Sequence, residues 1–260
     1  PVDHTQALLV GRVWRPAPRS GPALVMIRHG EVIDISADYR CMADLLDCDD
    51  VVEIVSKVEG ESLGPVEALL ENSLAEPPRA PYLLAPCDVQ AIKACGVTFA
   101  VSLMERVIEE QAAGDPARAA ELRQELQALI GGDLSQIVPG SEEALALKAE
   151  LQSRGAWSQY MEVGIGPDAE VFTKAQPLSS VGFGARVGLP AASQWNNPEP
   201  EIVLAVDARG TPRGATLGND VNLRDIEGRS ALLLGKAKDN NASCAIGPFI
   251  RLFDDAFTLD

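Results

Sequence analysis

Two glutamates, Glu199 and Glu201, stand two residues apart at the start of the apolar run Ile202–Val206. Side chains alternate between the two faces of a β-strand, so a strand at this point puts both carboxylates on one face. Carboxylates held so close together repel each other unless a cation lies between them. The pair therefore indicates either a solvated strand, where such pairs are ordinary, or a cation site at the start of a buried strand.

A third carboxylate, that of Asp220, follows in the segment GNDVNLRD. In the turn or strand end predicted there, Asp220 could converge on the two glutamates. Three carboxylates suit a hard divalent cation, Mg²⁺ or Mn²⁺, and neither histidine nor cysteine lies nearby in the sequence to favour zinc. The alternative is that Asp220 forms the turn itself by hydrogen bonding to its own backbone.

The periodicity of the apolar residues changes twice along the chain. Up to about residue 90, short β-branched runs indicate strands, with a hairpin turn at His29–Gly30 and one helix over residues 42–58. Residues 115–132 and 141–155 have the capping residues and glycine stops of two helices. From about residue 165, short strands alternate with glycine-containing turns.

This order of elements predicts an α+β fold. We expect a small N-terminal α/β domain at residues 1–88 and a second domain at residues 89–260, whose short strands fit a β-roll, a barrel or a sandwich, with a helical insertion at about 103–160. The chain stops directly after a strand-like segment, so this second domain is expected to be incomplete if the chain has been cut.

The charge of the chain restricts its partners. With 22 Lys and Arg against 38 Asp and Glu, the net charge of -16 disfavours nucleic acid and anionic membrane surfaces. The sequence has no apolar run near the ~18 residues that a membrane span needs and no signal-peptide pattern. We therefore expect a cytoplasmic protein that binds neither nucleic acid nor membranes.

Three segments together resemble the metal-binding core of the fumarylacetoacetate hydrolase family. They are, in order, PEPEIVLAVDARG, GNDVNLRDIEG and KDNNASCAIGPFI, and the resemblance runs from about residue 90 to the end of the sequence. It implies that Glu199, Glu201 and Asp220 hold Mg²⁺ or Mn²⁺. It also implies that Lys238, with Lys236 as the fallback, acts in catalysis.

The segment TFAVSLME departs from the pattern of the hydrolytic members of the family. It matches their NYxxHxxE segment with Thr98, Phe99, Ser102 and Glu105, so a serine stands where the water-activating histidine is expected. Serine is no base near neutral pH, and neither histidine of the chain lies close in sequence. The loss is therefore more similar to the sugar-acid dehydratase branch, which needs no activated water.

The resemblance to that branch implies the dehydration of a 2-keto-3-deoxy sugar acid of the pentonate class. Lys238, with a pKa lowered by burial and by the cation, would remove the C3 proton, and Glu105 would protonate the departing C4 hydroxyl. Lys174 is predicted to meet the substrate carboxylate or else only to flank a strand. Thr98, Phe99 and Ser102 are expected to line the pocket, although Phe99 fits a core position equally well.

Two other functions stay open at this point. One is hydrolysis of a carbon-carbon bond in an acylpyruvate or 2,4-dioxo acid, which needs the same metal. The other is a non-catalytic scaffold that keeps the fold. The resemblance further implies a homodimer or homotetramer.

Overall fold

A computed structural model describes residues 6–96, 108, 116–130, 137–153, 155, 157 and 159–259. Among these residues, no helix is both long enough and apolar enough to cross a membrane. The chain divides into two compact units. The first comprises Pro1–Ile92 and Thr173–Asp260, and the second comprises Lys93–Phe172.

The first unit is built on one large antiparallel sheet of eight strands. The strands of the chain are β1 Leu9–Arg15, β2 Gly21–Arg28, β3 Glu31–Asp34, β4 Glu61–Pro65, β5 Tyr82–Leu84, β6 Ile92–Cys95, β7 Val171–Ala175, β8 Asn196–Asn197, β9 Pro200–Val206, β10 Pro212–Asp220, β11 Asn222–Leu223 and β12 Cys244–Leu252. The large sheet has the order β4-β3-β2-β1-β12-β10-β9, and β5 pairs with β1. The remaining strands form two small sheets, β8 with β11 and β6 with β7.

The pairing of β1 with β12 connects the two ends of the described chain. Leu9 lies opposite Arg251, and Val10 lies opposite Ile250. Val10 and Ile250 are buried in one apolar cluster, together with Leu252. The first ninety residues and the last ninety therefore share a sheet and a core, whereas the sequence analysis expects a domain boundary at residues 88/89. Periodicity along the chain carries no information about pairing between strands so far apart in sequence.

The helices of the first unit are short. They are α1 Met42–Leu46, α2 Val51–Lys57, α3 Val66–Leu74, α7 Arg224–Glu227 and α8 Leu234–Lys238. The single helix expected over residues 42–58 is wrong, because the chain forms α1 and α2 with a break at Asp47–Asp50. Aspartate favours helix caps over helix interiors, and an Asp47 backbone N–H closes α1 on the carbonyl of Ala43.

The second unit contains the helices α4 Pro116–Ile130, α5 Glu142–Ser153 and α6 Gln159–Ile165. The two helices predicted at 115–132 and 141–155 are confirmed. The side chain of Ser141 accepts a hydrogen bond from the backbone of Ala144 and so caps α5.

The apolar run that follows the glutamate pair is strand β9, at the edge of the large sheet. The sequence analysis considers a buried strand here, but only one face of β9 is covered. Glu201, Val203 and Ala205 are half-buried, whereas Ile202 is 69% exposed and Leu204 is 43% exposed. The face that carries Glu201 is thus the one turned toward the other groups of the site.

Strands β10 and β12 approach each other so closely at Gly214 that a larger residue there should lower the stability of the protein. A Cβ at Gly214 would lie 2.4 Å from the carbonyl oxygen of Arg251, which is backbone and cannot turn away. Gly214→Ala should therefore lower the free energy of unfolding by about 1–3 kcal/mol, the usual cost of overpacking. Urea denaturation measures the change. Gly235→Ala is the control, because a Cβ there meets no atom within 4 Å; an equal loss in both variants would contradict the prediction.

Candidate metal centre

Two neighbouring antiparallel strands carry the three predicted metal ligands. The backbone N–H of Asp220, the last residue of β10, donates to the carbonyl of Glu199 just before β9, at 2.9 Å. Glu201 lies opposite Gly218 in the same ladder. Side chains on the same face of such a pair lie about 5 Å apart when directly opposite. The register therefore brings three carboxylates to one end of the sheet.

The carboxylates of Glu199, Glu201 and Asp220 each offer one oxygen, and these oxygens all lie within 4.8 Å of one another. Asp220 is buried and the two glutamates are half-buried. Burial, together with the negative charges of Asp220 and Glu199, raises the pKa of Glu201 above its ordinary value. An all-oxygen site with this much negative charge fits a hard divalent cation.

Lys238, at the end of α8, lies against this cluster. Its Nζ contacts Oε2 of Glu199 and lies 3.1 Å from Oδ2 of Asp220. Burial disfavours the ammonium, but the two carboxylates outweigh this effect and raise the pKa of Lys238 above its ordinary value. The direction is opposite to the lowered pKa that the sequence analysis expects, because here the carboxylates themselves are the partners of the lysine.

Lys174, in β7, is also part of the cluster. Its side chain is only 1% exposed, and Nζ forms an ion pair with Oδ1 of Asp220 at 2.9 Å. Nζ also contacts the carbonyl oxygens of Val221, at 2.8 Å, and of Lys238, and it lies 3.3 Å from Oγ of Ser243. An ammonium group has three protons to donate. The oxygens of Val221, Lys238 and Ser243 account for them, so Lys174 is placed to hold Asp220 and its surroundings, and its contact with the substrate carboxylate stays a prediction.

Three asparagine side chains surround Glu199. Oδ1 of Asn219 accepts the backbone N–H of Glu199 at 3.0 Å. Nδ2 of Asn222 donates to Oε1 of Glu199 at 3.1 Å, and Nδ2 of Asn197 lies 3.5 Å from the same oxygen. The sequence analysis does not assign these residues. Asn219 and Asn222 stand beside Asp220 in the segment GNDVNLRD, and Asn222 follows Asp220 with strand spacing, which is the signal that could have found them.

The other predicted site residues have different positions. Lys236, the fallback for Lys238, is exposed. Thr98, Phe99, Ser102 and Glu105 lie outside the described residues. Their roles stay predictions.

Comparison with known proteins finds two curated relatives of part of the chain. The 2-dehydro-3-deoxy-D-arabinonate dehydratase of Saccharolobus solfataricus is 37% identical over 86 residues, which are 33% of this chain and 29% of that protein. The probable 2-keto-3-deoxyxylonate dehydratase of Haloferax volcanii is 41% identical over 91 residues, which are 35% of this chain and 31% of that protein. Over these segments the chain is similar in sequence to the two dehydratases, and it spans less than a third of the length of each. No protein-family model matches the sequence.

Solved structures of the same dehydratase branch share the fold. A 2-keto-3-deoxy-D-arabinonate dehydratase complexed with magnesium and 2,5-dioxopentanoate has a TM-score of 0.59 at 19% identity, over 93% of this chain and 65% of that one. The apo form of the enzyme has a TM-score of 0.61, over 94% of this chain and 66% of the other. The chain thus spans just under two thirds of the solved dehydratases and matches about a third of the curated relatives.

Removal of the Lys174 ammonium should destabilise the protein. Lys174→Met leaves Asp220 with one fewer cation and removes one donor each from the carbonyl groups of Val221 and Lys238. Breaking a buried ion pair from one side typically costs about 3–5 kcal/mol. Chemical denaturation measures the free energy of unfolding. Lys236→Met makes the same replacement at an exposed position and should stay within about 0.5 kcal/mol of the wild type. If Lys174→Met also stays within about 0.5 kcal/mol of the wild type, the structural role of Lys174 is wrong.

Proposed function

We propose that the protein is a Mg²⁺-dependent dehydratase of a 2-keto-3-deoxy sugar acid of the pentonate class. The observation that carries the proposal is the convergence of Glu199, Glu201 and Asp220 on one point, within contact of Lys238. The names of the curated relatives support the reaction class.

The three carboxylates would hold the cation, Mg²⁺ or in its place Mn²⁺, because both prefer oxygen ligands in an octahedral arrangement. Carboxylates with a raised pKa, as at Glu201, gain most from a positive charge placed among them. The chemistry that such a cation supplies when bound is polarisation of the C2 carbonyl of a 2-oxo acid, which makes a C3 proton easier to remove.

Lys238 is the candidate base for the C3 proton. Its Nζ reaches the carboxylates from the buried side, where α8 ends, and the side chain is only 5% exposed. Despite burial, the carboxylates of Asp220 and Glu199 raise its pKa, and a cation bound by the same carboxylates would offset their negative charge and so favour the neutral amine. Loss of the C3 proton and of the C4 hydroxyl, which leaves as water, gives a double bond between C3 and C4. Tautomerisation, which moves protons from C5 and its hydroxyl to C3 and C4, then yields a 2-oxo acid semialdehyde.

The remaining roles rest on the resemblance to the family. Glu105 would donate the proton to the departing hydroxyl, and Thr98, Phe99 and Ser102 would line the substrate pocket. The homodimer or homotetramer and the cytoplasmic location likewise stay predictions.

The metal site predicts a direct loss of Mg²⁺ binding on neutralisation of its ligands. In calorimetric titration of chelator-treated protein, the wild type should bind Mg²⁺, and the double variant Glu199→Gln, Glu201→Gln should give no binding heat. These changes keep the shape of each side chain and remove the charge that holds a hard cation. Glu67→Gln, which makes the same change at an exposed position in α3 away from the site, should retain binding. Heat that survives in the double variant would refute the assignment.

The products separate dehydration from the other functions. With Mg²⁺ and a 2-keto-3-deoxy-pentonate, the protein should form a 2-oxo acid semialdehyde, detected by mass spectrometry. Lys238→Met should lose turnover by at least about 10²-fold, the usual contribution of a general base, and should keep Mg²⁺ binding. Lys236→Met is the matched control and should stay active.

Two results would overturn this preference. Release of pyruvate from a 2,4-dioxo acid, with no dehydration, would favour carbon-carbon hydrolysis. Mg²⁺ binding without turnover of either substrate type would favour a non-catalytic scaffold.

A further inference from the structure

We infer that Asn222 is a positioning residue that holds one oxygen of Glu199, so that this carboxylate offers only its other oxygen to a divalent cation. The inference rests on the proposed function, since it supposes that Glu199 is a ligand. It adds which oxygen of Glu199 would bind the cation and which residue determines that choice.

The two oxygens of Glu199 have separate surroundings. Oε1 accepts a hydrogen bond from Nδ2 of Asn222 at 3.1 Å, and Nδ2 of Asn197 lies 3.5 Å away. Oε2 faces Lys238, which also contacts Oδ2 of Asp220. Oε2 is therefore the oxygen on the side of Asp220, and Oε1 is directed to the amide groups. A carboxylate held in this way binds a cation through one oxygen and leaves room for other ligands.

The position of the Asn222 amide is itself fixed. The side chain is completely buried. Its Nδ2 donates to Oε2 of Glu227 at 2.6 Å in addition to Glu199, and Glu227 in turn forms an ion pair with Arg224 at 3.1 Å. Both neighbours of Nδ2 are carboxylate oxygens, which only accept hydrogen bonds, so only the NH₂ end of the amide can face them.

The local fold brings these groups together. Asn222 lies in β11, directly opposite Asn197 of β8, and Asn197 precedes Glu199 by two residues. Arg224 and Glu227 lie in α7, which follows β11. A short segment after Asp220 thus supplies both the amide and the charged pair that anchors it.

The arrangement leaves one buried polar atom of Asn222 without a hydrogen bond. Within the described part of the chain, Oδ1 of Asn222 is buried and has no hydrogen-bond partner. An unpaired buried acceptor is unfavourable, because it has given up its hydrogen bonds to water without replacing them. Groups that orient metal ligands are retained despite such costs, because the ligand geometry depends on them.

The test compares Asn222→Leu with the wild type by calorimetric titration of Mg²⁺. Leucine has the same branching and the same number of side-chain heavy atoms as asparagine but no N–H, so Glu199 loses its anchor. We expect the Mg²⁺ affinity to fall by about 10–100-fold, the usual effect of removing a group that orients a metal ligand. Gly214→Ala is the control for stability, because it should destabilise the same sheet with the amide intact. Its Mg²⁺ affinity should equal that of the wild type.

A crystal structure of the wild-type protein with Mn²⁺ supplies a second measurement that does not depend on the folding of a variant. Glu199 should bind Mn²⁺ through Oε2 alone, with Oε1 within hydrogen-bond distance of Asn222 Nδ2. Chelation of Mn²⁺ by both oxygens of Glu199 would overturn the inference.

The outcomes distinguish this inference from the proposed function. If the wild type binds Mg²⁺ and Asn222→Leu binds it equally well, the positioning role is wrong and the metal site stands. If the wild type binds neither Mg²⁺ nor Mn²⁺, the proposed function and the inference are both wrong.

Discussion

Repulsion among three carboxylates is the constraint on which the site depends. Glu199, Glu201 and Asp220 come together because β9 and β10 pair in one register, and a sheet tolerates such a concentration of negative charge only when positive charge accompanies it. The chain supplies part of that charge itself through two buried lysines, Lys174 and Lys238. The stability of this end of the sheet and its affinity for a cation are therefore two results of the same electrostatic balance.

Lys174 and Lys238 differ in the groups that their ammonium groups contact. Lys174 is surrounded by backbone and side-chain oxygens from Asp220 to Ser243, so it connects the strands and the loop that build the site. Lys238 contacts only carboxylates that a cation would also bind, among the contacts described for its ammonium group. The first lysine is suited to holding the site together, and the second is suited to chemistry.

The sequence predicts the three candidate metal ligands better than it predicts the residues that surround them. The spacing of Glu199 and Glu201 and the motif around Asp220 are local patterns, and strand alternation is enough to interpret them. The roles of Asn222 and Lys174 depend on contacts between segments 23 and 47 residues apart, which no periodicity reports. Pairing of β1 with β12 is missed for the same reason, and the break at Asp47–Asp50 is missed because an apolar helical pattern continues across it.

The distance in sequence between β1 and β12 also has a consequence for biosynthesis. Val10 and Ile250 are neighbours in the sheet, so the start of β1 emerges from the ribosome long before the strand that pairs with it there, whereas β5 covers the rest of that edge much earlier. At about 5–20 residues per second, the start of β1 waits on the order of ten seconds or more with an open edge. Exposed edges of this kind are where unfinished chains associate with one another. The abundance of acidic residues keeps such chains apart during that interval, because chains of high net charge repel each other.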